Sequence, residues 1–202
     1  QVLFINADRE YFEGRAQNFL LPEHMEKITT AFDDFHKIDG LADVVDIATL
    51  RNNDYNLNIR RYVDNAPAPE PHDVRAHLQG GVPKAEVAAK AALFDAQGLN
   101  PLDLFVARDA SYYDFRAELT GRQTLKPAIE ANAGLQAKEA ALRDAFNTWW
   151  QAHGTRITAL AGQQGNSAVL VNLRGELLTS FSQALEPIGL LAPFQVRGIV
   201  AG

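Results

Sequence analysis

The sequence predicts a mainly α-helical protein with a small α/β portion at its start. Three observations carry that class. A run of four β-formers, Val2–Ile5, opens the chain, and alanine-rich stretches with apolar residues at helical spacing fill most of it beyond residue 72. Between the two textures stands NAPAPEP (65–71), whose alternating prolines remove backbone donors and favour an extended spacer. The expected organisation is therefore a mixed portion over 1–64, a proline-rich linker over 65–71 and a helical domain over 72–202.

Taken in order, Val2–Ile5 has the continuous apolar pattern of a strand buried on both faces. The following fifty residues offer little to pair with it. Asp8–Asn18 is polar and reads as a loop. Pro22 suits a first helical position, and a helix is expected to about Lys37, with Met25, Ile28, Phe32 and Phe35 on one face and Asp39-Gly40 ending it. A short helix at Ile47–Arg51 is followed by an expected strand over Leu57–Val63, where Leu57, Ile59, Arg61 and Val63 alternate with Asn58, Arg60 and Tyr62. Gly80-Gly81 breaks the chain, Pro83 opens a helix over Lys84–Gln97, and Gly98 stops it. Short helices are expected around Pro101–Ala107 and Lys126–Ala131. Two longer ones follow. Leu135–Leu160 has a seam through Leu142, Phe146, Trp149 and Ile157, and Asn166–Glu186 has Leu170, Leu173, Leu177, Phe181 and Leu185 at helical spacing.

Composition excludes several functions. The net charge of −6 argues against a generally basic nucleic-acid surface, although it leaves room for a local basic strip. Cysteine is absent, which removes disulfides and thiolate metal sites and fits a reducing cytoplasm. No run of roughly 18 apolar residues exists to span a membrane. QVLFINADRE has no basic start and no long apolar stretch, so it is not a signal peptide; it reads as a strand in progress, and the chain is expected to be a piece of something longer. No glycine-rich phosphate cradle occurs, the five histidines (24, 36, 72, 77, 153) are scattered, and no serine sits in a nucleophile turn. Neither a catalytic nor a metal residue is assigned.

The longer words are more telling. VLFINADREYFEGRAQNFL (2–20), NDYNLNIRRYVD (53–64) and AHLQGGVPKAEV (76–87) resemble the C-terminal part of the methyltransferase (M) subunit of type I restriction-modification systems, N6-adenine DNA methyltransferases that use S-adenosylmethionine. The resemblance is dense over 1–87, while the rest, with Trp149-Trp150 and LLAPFQVRGIVAG, looks like the helical tail of one M-subunit branch. The family's catalytic Asn-Pro-Pro-Phe or Asn-Pro-Pro-Tyr and its glycine-rich cofactor turn do not occur; Asn100-Pro101-Leu102-Asp103 lacks the second proline and the aromatic. Methylating an extruded base requires that base to be gripped beside the cofactor, so this chain is expected to bind no S-adenosylmethionine and to be inactive by itself.

The resemblance implies that β-strand 2–5 is the remnant edge of a Rossmann-like methyltransferase sheet, followed by a C-terminal helical domain. It also implies double-stranded DNA and the specificity (S) and restriction (R) subunits as partners. For DNA the candidates are Arg15, Gln17, Asn18, Arg60, Arg61, Arg75 and Lys84, which would contact phosphates more than bases. On a strand, Arg60 and Arg61 would face opposite ways, so that one of them pairs with a local acid such as Asp64 or caps a helix. Tyr55, Leu57, Ile59 and Tyr62 read mostly as packing residues, and Asn56 and Asn58 as turn residues. Trp149, Trp150 and Phe181 are the candidates for a partner interface, because adjacent tryptophans on a helix point roughly 100° apart. The competing reading is a non-catalytic helical adaptor, separable by whether Asn-Pro-Pro-Phe or Asn-Pro-Pro-Tyr lies upstream of Gln1.

Overall fold

The structure, a computed structural model, describes residues 1–66, 73–160 and 167–201. Residues 67–71 of the expected proline linker, and His72, lie outside the described residues. The chain divides into two units, one of Gln1–Ala68, Asn166–Ser182 and Pro193–Gly202, the other of Pro69–Gly165 and Gln183–Ala192. The expected domain 72–202 is thus shared between units, with most of the last two helices grouped with the N-terminal residues.

The first unit begins with β1 (Val2–Ile5), a hairpin of β2 (Phe12–Glu13) and β3 (Asn18–Phe19), α1 (Pro22–Asp34), β4 (Ala42–Val45), α2 (Ile47–Asn52) and a single 3-10 turn, Ile59–Arg61. The expected lack of a partner for β1 is corrected: β4 pairs with it antiparallel, Val2 opposite Val45 and Ile5 opposite Ala42. Four residues containing an acid gave β4 no alternation to reveal it. Both faces of β1 are covered, as its apolar run requires. Val2 and Phe4 pack with Val45, Leu50, Tyr62 and Val63. Leu3 and Ile5 turn the other way, to Ala31, Ile38, Leu41 and Ala42. A fully buried large apolar side chain such as Phe4 contributes about 1.5–3 kcal/mol. Helix α1 stops three residues before the expected Lys37, because Phe35 is left-handed (φ 47°). The loop expected over Asp8–Asn18 contains β2 and the start of β3, paired Phe12 to Phe19 and Glu13 to Asn18.

The expected strand Leu57–Val63 is corrected to a turn. Asp54 and Tyr55 both take positive φ (53° each) directly after α2, so the chain reverses instead of extending. Asn56 Oδ1 then accepts the Asn58 N–H (2.9 Å), and Asn58 Oδ1 accepts the Arg60 N–H (3.1 Å). The asparagines satisfy turn backbone, as read from the sequence, and by doing so they favour the 3-10 turn over a ladder.

The second unit holds α3 (Val74–Gln79), β5 (Val82–Pro83), α4 (Lys84–Ala89), α5 (Ala91–Gln97), β6 (Phe105–Ala107), β7 (Tyr112–Phe115), α6 (Arg122–Glu130) and α7 (Ala133–Leu160). Its antiparallel sheet, in the order β5-β7-β6, was not legible in the sequence. Pro101–Ala107, expected as a helix, is a 3-10 turn (Pro101–Asp103) followed by β6. The expected helix 84–97 is two helices meeting at Lys90, and Gly98 caps the second in a left-handed conformation (φ 69°). Val87, Leu104 and Phe105 form the centre of this core, with Val82, Phe94, Tyr113, Leu125 and Ile129 against it. Trp149 is buried (7 % exposed) while Trp150 is not (43 %), the separation that consecutive helical positions impose.

Two further helices complete the described chain, α8 (Ser167–Leu185) and α9 (Pro193–Ala201). Helix α9, whose Val196 is fully buried, was not among the elements expected. In the first unit α9 packs along α1, and Arg174 of α8 and Arg197 of α9 both donate to the carboxylate of Glu26 on α1, Arg197 at 3.4 Å. Phe181, expected at a partner interface, is 1 % exposed and is corrected to a buried residue.

Candidate nucleic-acid interface

Two of the sequence words that were most informative meet at the end of β1. Asn6, the first residue past the strand, is buried (6 % exposed), and its N–H donates to the Leu41 carbonyl at 2.7 Å. Its side-chain Nδ2 donates to the carbonyl of Val63 at 3.1 Å, across 57 residues. Two residues on, the Asp8 carboxylate accepts from Arg60 Nη2 (2.8 Å) and from Asn65 Nδ2. Below them the Phe4 and Tyr62 rings stack with centroids 4.3 Å apart. The Tyr62 hydroxyl donates to the Asn56 carbonyl at 2.5 Å. The segment 53–65 is thus pinned to the strand end by one apolar stack and a set of polar ties.

That pinning turns other residues outward. Tyr55 (59 % exposed), Leu57 (64 %) and Ile59 (40 %) are on the surface, correcting their reading as packing residues; of the four, only Tyr62 packs. The positive φ at Asp54 and Tyr55 is the local cause, because it directs Tyr55 away from the core. Arg51 Nε donates to the Tyr55 hydroxyl at 3.3 Å, and Arg61 Nη1 donates to Asn53 Oδ1 at 3.1 Å. Arg60 pairs with Asp8 and not with the expected Asp64, yet its side chain remains 78 % exposed. The outcome is an exposed segment that carries Arg51, Arg60 and Arg61 together with Tyr55, Leu57 and Ile59. Arg51 was missed; its place in the last turn of α2, four residues before Tyr55, was the available signal.

Asp8 is held below the usual carboxylate range, first by the Asn65 hydrogen bond and also by Arg60, with desolvation acting against them. A depressed acid stabilises the fold fully above its unfolded pKa, about 3.8, and that contribution is lost as pH falls through its lower folded value. Asp8→Asn is therefore expected to flatten the acid limb of stability below about pH 4. Urea midpoints across that range would check it; an unaltered slope would show that Asp8 contributes nothing there.

The remaining DNA candidates divide by unit. Arg15 and Gln17 lie in the exposed turn of the β2–β3 hairpin, with Asn18 at the start of β3. In the second unit, Arg75 lies 5.0 Å over the Tyr112 ring and bonds Gln79, while Tyr112 donates to Asp73 at 2.8 Å. The bond to Asp73 and burial push the Tyr112 hydroxyl pKa up. Lys84 lies over Tyr113, with its ammonium donating to the Asp109 carbonyl (2.6 Å). Both cations are thus engaged locally, Arg75 with Gln79 and Tyr112, Lys84 with Asp109 and Tyr113. Among the described residues no group of three or more His, Asp or Glu could hold a metal ion, and no helix is long and apolar enough to cross a membrane.

Comparison with known proteins gives the class first. Residues 1–70, which contain β1, the hairpin and the pinned segment, match the family model described as N-6 DNA Methylase. The particular relatives are type I subunits. The chain is 44 % identical over 77 residues to the type I restriction enzyme MjaVIII methylase subunit of Methanocaldococcus jannaschii, a match covering 37 % of this chain and 13 % of that protein. It is 38 % identical over 82 residues to the MjaVII methylase subunit of the same organism, covering 39 % and 14 %. The resemblance to a type I methyltransferase subunit therefore holds over the N-terminal part, and the matched segment is a small fraction of those relatives' length. No solved structure matches.

The residues that follow β1 form no glycine-rich cofactor turn. A cofactor turn needs glycine so that backbone can approach the ligand, whereas Asn6-Ala7-Asp8-Arg9 follows this strand. The Asn6 and Asp8 side chains are already committed to Val63, Arg60 and Asn65.

Proposed function

We propose that this chain is the C-terminal part of the methyltransferase subunit of a type I restriction-modification system, acting in S-adenosylmethionine-dependent N6-adenine methylation of DNA by the whole assembly. Its own contribution is to position DNA and to dock the specificity subunit, while the catalytic and cofactor residues lie elsewhere in the subunit. The observation that carries this reading is the pinning of segment 53–65 onto the end of β1, which leaves Arg60 and Arg61 exposed beside Tyr55. Arginines so placed hold phosphates and fix register without reading sequence. That β1 uses only one edge among the described residues, against β4, supports its role as the border of a larger sheet. For the specificity subunit, exposed Trp150, stacked on Phe146 with centroids 6.2 Å apart, offers a helix-borne aromatic anchor.

Arg61→Ala in the full-length assembly tests the DNA role. Arg61 makes one side-chain bond, to Asn53, so its loss leaves the Asp8 pin intact. Nonspecific DNA affinity is expected to fall, and the salt slope to shrink by about one unit for one lost phosphate contact. Unchanged affinity and slope would remove Arg61 from the interface.

A further inference from the structure

The hairpin β2–β3 holds its apolar side chains outside both apolar clusters described for the first unit. Tyr11 (42 % exposed), Phe12 (54 %), Phe19 (46 %) and Leu20 (55 %) all lie open, and Phe12 stands directly opposite Phe19 across the ribbon. The ribbon is nonetheless shaped. The Gly14 N–H donates to the Gln17 carbonyl at 3.1 Å, and a Cβ at Gly14 would stand 2.6 Å from that oxygen and 2.7 Å from the Phe19 ring. Glycine at 14 therefore seats the Phe19 ring over the turn. The hairpin leaves the strand end four residues after Asp8, the residue that anchors Arg60.

Charge and area bear on what covers it. Among the described residues Arg9 and Arg15, on either side of Phe12, make no ion pair, and neither does the exposed Glu13 beside Phe12, whereas Glu10 is bound to Lys27 at 2.6 Å. Arg15, Gln17 and Asn18 are all exposed on the hairpin, two side-chain amides beside a guanidinium. Four half-exposed side chains of this kind offer about 400 Å², well under the roughly 800 Å² per partner of a stable protein interface. A narrow ribbon with apolar side chains between arginines instead suits DNA, where apolar wedges enter opened base steps and cations hold the phosphates beside them.

We propose that Phe12 and Phe19 are positioning residues that support the DNA stack where the target adenine leaves it, with Arg15 holding the adjacent phosphate. This rests on the reading of the chain as part of a DNA adenine methylase. The two rings offer an aromatic surface to a base step that has lost its neighbour, and Gly14 keeps that surface in one orientation.

The test uses the full-length assembly on a duplex with 2-aminopurine in place of the adenine that the wild-type assembly methylates. The Phe12→Ala/Phe19→Ala double variant is expected to bind DNA within about threefold of wild type but to lose about tenfold of the fluorescence rise on base extrusion, as stacking energies imply. Methyl transfer should fall in parallel. Phe12→Leu/Phe19→Leu keeps the hairpin apolar and is expected to recover part of the signal, which separates stacking from misfolding. A full fluorescence rise in the alanine variant overturns the proposal while leaving the methylase reading intact. So does loss of subunit assembly on size exclusion, which would make the hairpin a protein contact. A wild-type assembly that neither methylates adenine nor raises the fluorescence overturns the underlying reading itself.

Discussion

Glu26→Ala is expected to destabilise the first unit by about 2–3 kcal/mol, chiefly by loosening the C-terminal helices from α1. The Glu26 side chain is 9 % exposed and receives one arginine from α8 and one from α9. Removing the carboxylate leaves Arg197, 30 % exposed, beside apolar surface with its Nε already without a partner. Breaking a buried pair costs about 3–5 kcal/mol; the lower figure applies because Arg174 is half-exposed and recovers hydration. Arg197 cannot simply move away from α1, because α9 and α1 are in close backbone contact. A Cβ on Gly198 would stand 2.7 Å from the Glu23 nitrogen, so α9 sits on α1 at the one position without a side chain. Glu26→Gln, which keeps an acceptor, should cost less than the alanine variant. Urea unfolding of the three proteins decides it, and a midpoint for Glu26→Ala indistinguishable from wild type would make the arginine pairs incidental.

Asn6→Asp is expected to cost about 3 kcal/mol at neutral pH, more than Asn6→Ala at about 1–3 kcal/mol. Alanine leaves the buried Val63 carbonyl without its donor. Aspartate does that and also aims a carboxylate oxygen at the carbonyl, in a site 6 % exposed. Burial and the facing dipole raise the folded pKa of that new acid above its ordinary value. The sign follows: the penalty is full above the raised pKa and shrinks as pH falls through it, where the protonated carboxyl can donate. Amide hydrogen exchange should show the loss concentrated in 53–65, the segment Asn6 holds. Equal stabilities for the aspartate and alanine variants from pH 4 to 7 would mean that the Val63 bond is not formed.

The parts of this protein legible in its sequence were those governed by neighbouring residues. Pro22 marked the start of α1, Gly98 the end of α5, and the seam through Leu142 and Trp149 the long helix α7. Asn56 and Asn58 announced a turn because their side chains bond backbone two residues away. The alternation in 57–63 nevertheless suggested a strand. Two left-handed residues just upstream outweighed it, and only Asp54 of the two is a residue type enriched in that conformation, so Tyr55 carried no signal for it. Strands of two to four residues, such as β4 and β5, are too short for any period to show.

The site divides in the same way. The words 2–20 and 53–64 determined by themselves which family these N-terminal residues resemble, and which residue types the surface would offer. That Asp8 meets Arg60 and Asn65, that Asn6 reaches Val63, and that Tyr55 and Leu57 end outside were decided only in the tertiary structure. So was the burial of Phe181 and Glu26. The ties of Asn6, Asp8 and Glu26 join residues tens to more than a hundred positions apart, whose contacts follow from packing both faces of β1 and seating α9 on α1. A local pattern records what a residue can do; only the assembled core decides which of those possibilities is left exposed.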